Sequence, residues 1–178
     1  MAVSPGPLIV RRRLHNKESL IEPPTDESFM REALRLARKA FAQEEVPVGA
    51  VVVRGGRIIA RAFNQVEMLK DATAHAEMLA ITQAEAAVGD WRLNECDLYV
   101  TKEPCTMCAG ALVQVRMRRV IFGCADPRSG GAGGALNLLQ MPSLNHQCEI
   151  TPGVLGQECA ALLQSFFQTR RRADVSDA

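Results

Sequence analysis

The sequence predicts an α/β protein carrying a mixed sheet of five strands, and three observations lead there. Two β-rich runs, Val48 to Val53 and Ile58 to Ala62, are joined through Arg54-Gly55-Gly56-Arg57, and a Gly-Gly pair supplies the positive φ angles that a tight hairpin needs. Beyond that antiparallel pair, helical and strand-like segments alternate, which implies parallel strands with helical crossovers. With 178 residues, 47% of them hydrophobic, the chain is long enough to bury one core and short for two domains of ordinary size.

In chain order, residues 1–24 show no sustained periodicity and end in Pro23-Pro24, as a flexible N-terminal extension would. A single domain is expected over 25–172, followed by a tail over 173–178. Thr25 or Asp26 can cap a helix from about Glu27 to Gln43, in which Phe29, Ala33, Leu36, Ala37, Ala40 and Phe41 recur at helical spacing. After the hairpin come a helix near Thr73 to Ala87, a strand near Asp97 to Thr101, a helix near Pro104 to Val115 and a strand from Val120 to Gly123. A glycine-rich loop over Ser129 to Gly134 leads to a short helix near Leu136 to Leu139, a strand near Glu149 to Thr151 and a last helix from about Val154 to Phe167. The sequence holds no internal repeat.

Composition excludes several function classes. No apolar run approaches the ~20 residues of a membrane span, and the N-terminus lacks the apolar core and cleavage site of a secretory signal. The arginines at 11–13 hint at an organellar leader, but Glu18 and Glu22 dilute it. A soluble cytoplasmic protein is the expectation. Six cysteines in a chain of this size without an export signal read as reduced thiols or metal ligands rather than as a disulfide framework. Net charge is +1, so charge alone does not argue for nucleic acid. The basic clusters at 11–13, at Arg116, Arg118 and Arg119, and at Arg170 to Arg172 read by default as solvated faces.

The chemistry concentrates in two short stretches. Pro104 suits a first helical turn, which would put Cys105 and Cys108 on one face within the first two turns. The free amides and positive dipole end there favour anionic sulfur and prepare both thiols as ligands. C-x-x-C alone is ambiguous, because redox pairs use the same spacing. The second stretch, Thr73-Ala74-His75-Ala76-Glu77, opens another predicted helix, with Asp71 or Thr73 as its cap. On a regular helix His75 and Glu77 would diverge by roughly 200°, so both can serve one site only from a frayed first turn. If the two helix N-termini face one point, His75, Cys105 and Cys108 give zinc three ligands and leave its fourth position for water, a catalytic arrangement. Glu77, unligated beside that water, is placed to carry protons. On its own, a glutamate in a first turn would simply suit the helix dipole. Cys96, Cys124, Cys148, Cys159, His15 and His146 stand at no ligand spacing and read as buried small hydrophobes or surface imidazoles.

His75-Ala76-Glu77 followed by Pro104-Cys105-Thr106-Met107-Cys108 resembles the H-x-E…P-C-x-x-C signature of the zinc nucleobase deaminases. The resemblance runs from about Thr25 to Arg171. It takes in Glu45-Val46-Pro47-Val48-Gly49-Ala50, Tyr99-Val100-Thr101, Glu103, Ala109-Gly110-Ala111, Phe122-Gly123, Asp126, Asn145-His146 and Phe166-Phe167, and is strongest to the bacterial tRNA-specific adenosine deaminases. It implies a three-layer α/β/α, cytidine deaminase-like fold and a homodimer whose RNA site draws on both subunits. It also implies zinc-dependent conversion of adenosine to inosine at the wobble position of a tRNA anticodon loop, with Glu77 as the proton carrier. By the same resemblance Asn64 contacts the flipped nucleoside, Val48 lies against the base and Asp126 stands near the substrate loop. Without the family, these three read as a turn asparagine, a core valine and a loop-capping aspartate. Two positions depart from the pattern: Ala72 where proline is common, and Gly133-Gly134 where Gly-Ser is.

Three other readings share parts of this signal. Free-base deaminases such as guanine deaminase share the Thr-Ala-His-Ala-Glu run. A small zinc-stabilised module would use the ligands structurally and bind RNA or protein through its basic clusters. A thioredoxin-like protein would use the cysteines and strand both His75 and Glu77.

Overall fold

A computed structural model describes residues 24–176. The extension expected over 1–24 lies outside the described residues except for Pro24, as do the last two residues of the expected tail. Five helices and five strands follow in the order α1 (Asp26–Ala42), β1 (Gly49–Arg54), β2 (Arg57–Phe63), α2 (Val66–Leu69), α3 (Ala76–Val88), β3 (Cys96–Lys102), α4 (Thr106–Gln114), β4 (Arg119–Cys124), β5 (Glu149–Pro152) and α5 (Gly156–Ser176). Among these, no helix is long and apolar enough to cross a membrane.

The sheet order is β2-β1-β3-β4-β5. β1 pairs antiparallel with β2 and with β3, whereas β3–β4 and β4–β5 are parallel. The mixed five-stranded sheet is therefore as expected, and so is the Gly55-Gly56 turn, where both φ angles are positive. The inner strands are buried along nearly their whole length, and successive side chains go to opposite faces. Ala50, Val52, Leu98, Val100, Val120 and Phe122 pack with Ala76, Ala80 and Ile81 of α3 and Ala109, Leu112 and Val113 of α4. Val51, Val53, Tyr99 and Ile121 pack on the other side with Phe29, Met30, Ala33 and Leu34 of α1 and Cys159 of α5. Two helical layers thus enclose one sheet.

α1 begins as the sequence indicates, with the Thr25 hydroxyl accepting from the Ser28 amide at 3.3 Å. Its buried stripe, which includes Phe29, Met30, Leu34 and Leu36, follows the 3.6-residue period. It also lies unusually close to the sheet: a Cβ on Gly49 would fall 2.1 Å from the Ala33 carbonyl oxygen and 2.6 Å from the Ala37 nitrogen. Glycine is required at Gly49 because the α1 backbone and the Leu36 Cβ occupy that space.

Four expectations are corrected. α3 starts at Ala76 rather than Thr73: Asp71 accepts from both the Thr73 amide and hydroxyl at 2.8 and 2.7 Å, closing a turn instead of capping a helix. α4 starts at Thr106, with Cys105 as N-cap and Pro104 just outside. No helix forms at 136–139; turns there carry the chain across the α3–α4 side, burying Leu139 and Cys148 in that core. α2, a single turn ended by Lys70 at φ 52, is too short to show a period. α5 runs past Phe167 to Ser176, so the first part of the expected tail is helical.

The C-terminal ends of β2 and β3 meet the N-terminal end of β1 and the starts of α3 and α4. Such a crevice is where open α/β sheets bind ligands.

Candidate active site

Both metal-motif stretches act from helix N-caps. His75 has φ −69 and ψ 152, and Cys105 has φ −68 and ψ 171. These extended conformations free each side chain from the 100° step of the helix that follows, which resolves the His75–Glu77 divergence. Glu77 is the second residue of α3, and Cys108 the third of α4. His75 Nδ1 stands 3.6 Å from Cys105 Sγ and 3.5 Å from Cys108 Sγ. The three donor atoms lie within 4.8 Å of one another, the one group of this kind found among the described residues. They could hold a metal ion.

The electrostatics follow from this crowding. Cys105 is held down to about 3, chiefly by the hydrogen bond from the Cys108 thiol and next by His75, against burial that opposes ionisation. Cys108 is pushed up by that same bond and by burial. His75 is raised, first by its hydrogen bond with Cys105. Glu77 is raised because its carboxyl is buried, leaving only 4% of the residue exposed.

His75, Glu77 and Cys105 line a cavity of about 340 Å³, toward the small end of ligand pockets. Val48 and Val46 form apolar wall, Asn64 and Glu45 a polar one, and Phe167 sits at the mouth; Lys102, Glu103 and Glu67 also line it. Of the paired aromatics, Phe166 is buried edge-on to Phe41 at 5.5 Å, while Phe167 lines the cavity. A larger hollow of about 750 Å³ opens at the start of α5, but its lining is mostly glycine, alanine and leucine, with Cys124 and Glu158 as isolated titratable groups. It offers no convergent chemistry.

Of the residues singled out from sequence, His75, Glu77, Cys105, Asn64 and Val48 share this cavity, and Cys108 is buried beneath it, bonded to His75. Asp126 does not line it. Its carboxylate is engaged by Lys102 and by Ser129, and accepts from the Arg128 amide at 3.0 Å; it reaches the cavity only through Lys102. Of the cluster read from sequence as a solvated face, Arg118 is exposed while paired with Asp97, and the half-buried Arg119 pairs with Asp26. Cys96, Cys148 and Cys159 are buried, and Cys124 is half-buried.

Two buried carboxylates that line the cavity have no role assigned from sequence. Glu103 is 2% exposed and accepts from the amides of Asp126, Ala132 and Gly134 at 2.7, 3.0 and 2.8 Å. It gathers the glycine-rich loop, and a Cβ on Gly130 would fall 2.3 Å from its carboxyl carbon. The loop is further tied to the metal-motif helix, since the Gly131 amide donates to Pro104 O at 2.7 Å and Gly130 bridges to Cys105. Glu45, 1% exposed, accepts from Asn64 Nδ2 at 3.1 Å and from the Met68 amide at 2.7 Å. Neither carries a local signal, because its partners are distant in sequence.

Fold and site together define a deaminase: the profile of the MafB19-like deaminases matches residues 25–171. A tRNA-specific adenosine deaminase of Bacillus subtilis (strain 168) is 50% identical over 147 residues, covering 83% of this chain and 91% of the relative. The chain belongs to the family of tRNA-specific adenosine deaminases. A solved structure from a study of A-to-I editing by tRNA:A34 deaminases at the wobble position superposes with a TM-score of 0.73 and 43% identity, covering 75% of this chain and 97% of the other. A guanine deaminase from Nitrosomonas europaea superposes with a TM-score of 0.70 at 26% identity, covering 82% and 88%.

Proposed function

We propose that this cavity converts adenosine to inosine at the wobble position of a tRNA anticodon loop, with one zinc ion per chain held by His75, Cys105 and Cys108. The observation that carries the reading is the convergence of three metal donors and an unligated buried carboxylate on a cavity of nucleoside size. The donor set fits zinc: nitrogen at ~2.05 Å and sulfur at ~2.3 Å from one tetrahedral centre lie about 3.6 Å apart, and the His75 nitrogen stands 3.6 and 3.5 Å from the two sulfurs. Three protein ligands leave a fourth position open, as in catalytic rather than structural sites. When bound, zinc supplies the Lewis acidity that makes water nucleophilic at neutral pH.

The chain's own groups do the remainder. Val48 and Val46 pack against the faces of the base, and Asn64 offers hydrogen bonds to its edge. Glu77 takes the proton from the attacking water and delivers it to the nitrogen on carbon 6, which leaves as ammonia while oxygen replaces it. An anticodon loop suits the site because its bases can be unstacked at lower cost than those of a duplex. The substrate class is supported by the tRNA-specific relatives. The three-donor site with Glu77 beside it would serve guanine as well, so the assay must include both.

Glu77→Gln keeps the side-chain shape and removes the proton carrier. Zinc content and fold should be retained while inosine formation in anticodon stem-loop RNA falls by about 10²- to 10⁴-fold; undiminished activity refutes the role. Turnover of free guanine or cytosine but not of the RNA refutes the substrate. The reading places the catalytic domain at 25–172 and the protein in the cytoplasm as a homodimer. The exposed apolar side chains of Met68, Leu69, Leu136 and Phe167 support the dimer, and a one-chain mass in sedimentation would refute it.

A further inference from the structure

Asn64 is an amide, and an amide presents a donor on one side and an acceptor on the other. Which of them faces the base decides which edge the cavity can read, so some protein group must fix the orientation. Asn64 is 6% exposed, and its Nδ2 is bonded to Glu45 Oε2 at 3.1 Å. The other Glu45 oxygen accepts from the Met68 amide at 2.7 Å. A backbone N–H can only donate, so Glu45 must accept at that oxygen, and a carboxylate accepts equally at the second. Only the nitrogen of Asn64 can face it. Among the described residues no donor is bonded to Asn64 Oδ1, yet no buried side-chain oxygen or nitrogen there lacks a partner; Oδ1 is therefore open to the cavity that Asn64 lines.

We propose that Glu45 is a positioning residue for substrate selection: by accepting from Asn64 Nδ2 and the Met68 amide together, it locks the Asn64 amide with its acceptor toward the base. The inference rests on the deaminase reading only for what enters the cavity. The lock itself is a property of this chain. It also joins the end of β2, where Asn64 N donates to Val48 O at 3.0 Å, to α2, so the polar wall and the cavity rim are held by one carboxylate.

Glu45→Gln tests it, because glutamine cannot accept at both positions. With its oxygen on the Met68 amide, its NH₂ meets Asn64 Nδ2, and Asn64 must turn its oxygen away from the cavity. KM for the stem-loop RNA should rise about tenfold to a hundredfold, the cost of a mismatched buried pair, while kcat changes by less than about threefold. In an Asn64→Ala background no amide is left to orient, so Glu45→Gln should change KM there by less than about twofold. A further rise beyond that would show that Glu45 acts only by holding the cavity rim and would overturn the proposal, as would a wild-type KM in Glu45→Gln alone. An independent readout separates this from failure of the functional reading. In the wild-type amide spectrum, one Asn64 side-chain proton should be exchange-protected, and the protection should be lost in Glu45→Gln. If the wild-type protein leaves the RNA unmodified, the functional reading fails while the spectrum still judges the lock; two freely exchanging Asn64 protons in the wild type overturn it.

Discussion

Glu103→Gln should loosen the loop that borders the site. In the wild type, one carboxylate oxygen receives the amides of Ala132 and Gly134 and the other that of Asp126. Glutamine can keep the first two only by turning its NH₂ toward the Asp126 amide, donor against donor. Losing a bond to a charged acceptor costs about 1.5–3 kcal/mol, and weakening the other two to neutral bonds adds roughly 1 kcal/mol each. Relief from burying a charge offsets part of this, leaving about 3 kcal/mol. Side-chain adjustment offers little escape, because the Gly130 and Gly134 backbones already crowd the carboxyl. For a chain of this length that corresponds to ~6–12 °C in melting temperature. Calorimetry on the zinc-loaded proteins, with hydrogen exchange at the Asp126, Ala132 and Gly134 amides, is the assay. A shift below about 2 °C with unchanged protection at all three would show that Glu103 does not hold the loop.

Gly49→Ala should be more severe than most single changes on the sheet, because the new Cβ meets the Ala33 carbonyl and the Ala37 nitrogen and α1 must lift from β1. A loss of about 3 kcal/mol is expected, read by chemical denaturation, and a loss under 1 kcal/mol would contradict the packing. For Glu32, hydrogen bonding first from Arg35 and then from Arg61 lowers the carboxyl from its ordinary 4.5 to about 2. A depressed folded value means stability that is fully present above 4.5 and lost as pH falls toward 2. The stability gap between wild type and Glu32→Gln should therefore be constant above pH 4.5 and close across that window; a gap that widens with falling pH would show the sign to be wrong.

How much of this was legible in the sequence varied with the range of the interactions involved. The strands, α1 with its Thr25 cap and the His75–Cys105–Cys108 donor set could be read because local period, turn chemistry and motif spacing carry them. The starts of α3 and α4 were misread by two or three residues for one reason. His75 and Cys105 sit in extended conformations at the caps without a side-chain capping bond, so neither shows a capping signal, and Asp71 and Pro104 nearby mimic one. That shift matters chemically, since the extended backbone is what lets His75 and Glu77 face the same cavity. Glu45, Lys102 and Glu103 were opaque because their partners stand 19 to 31 residues away. Asp126 illustrates the converse: its resemblance-implied place near the substrate loop leaves open that its carboxylate is taken up by Lys102 and Ser129.

In the proposed reaction, water activated in this cavity replaces the amine of a wobble adenosine. Zinc-loaded protein incubated with an anticodon stem-loop RNA in oxygen-18 water, followed by mass spectrometry of the nucleosides, tests it most directly. Inosine at the wobble position, carrying the heavy oxygen, is expected with the wild type and none above background with Glu77→Gln. Unmodified RNA with the wild type, beside turnover of free guanine in the same buffer, would contradict it.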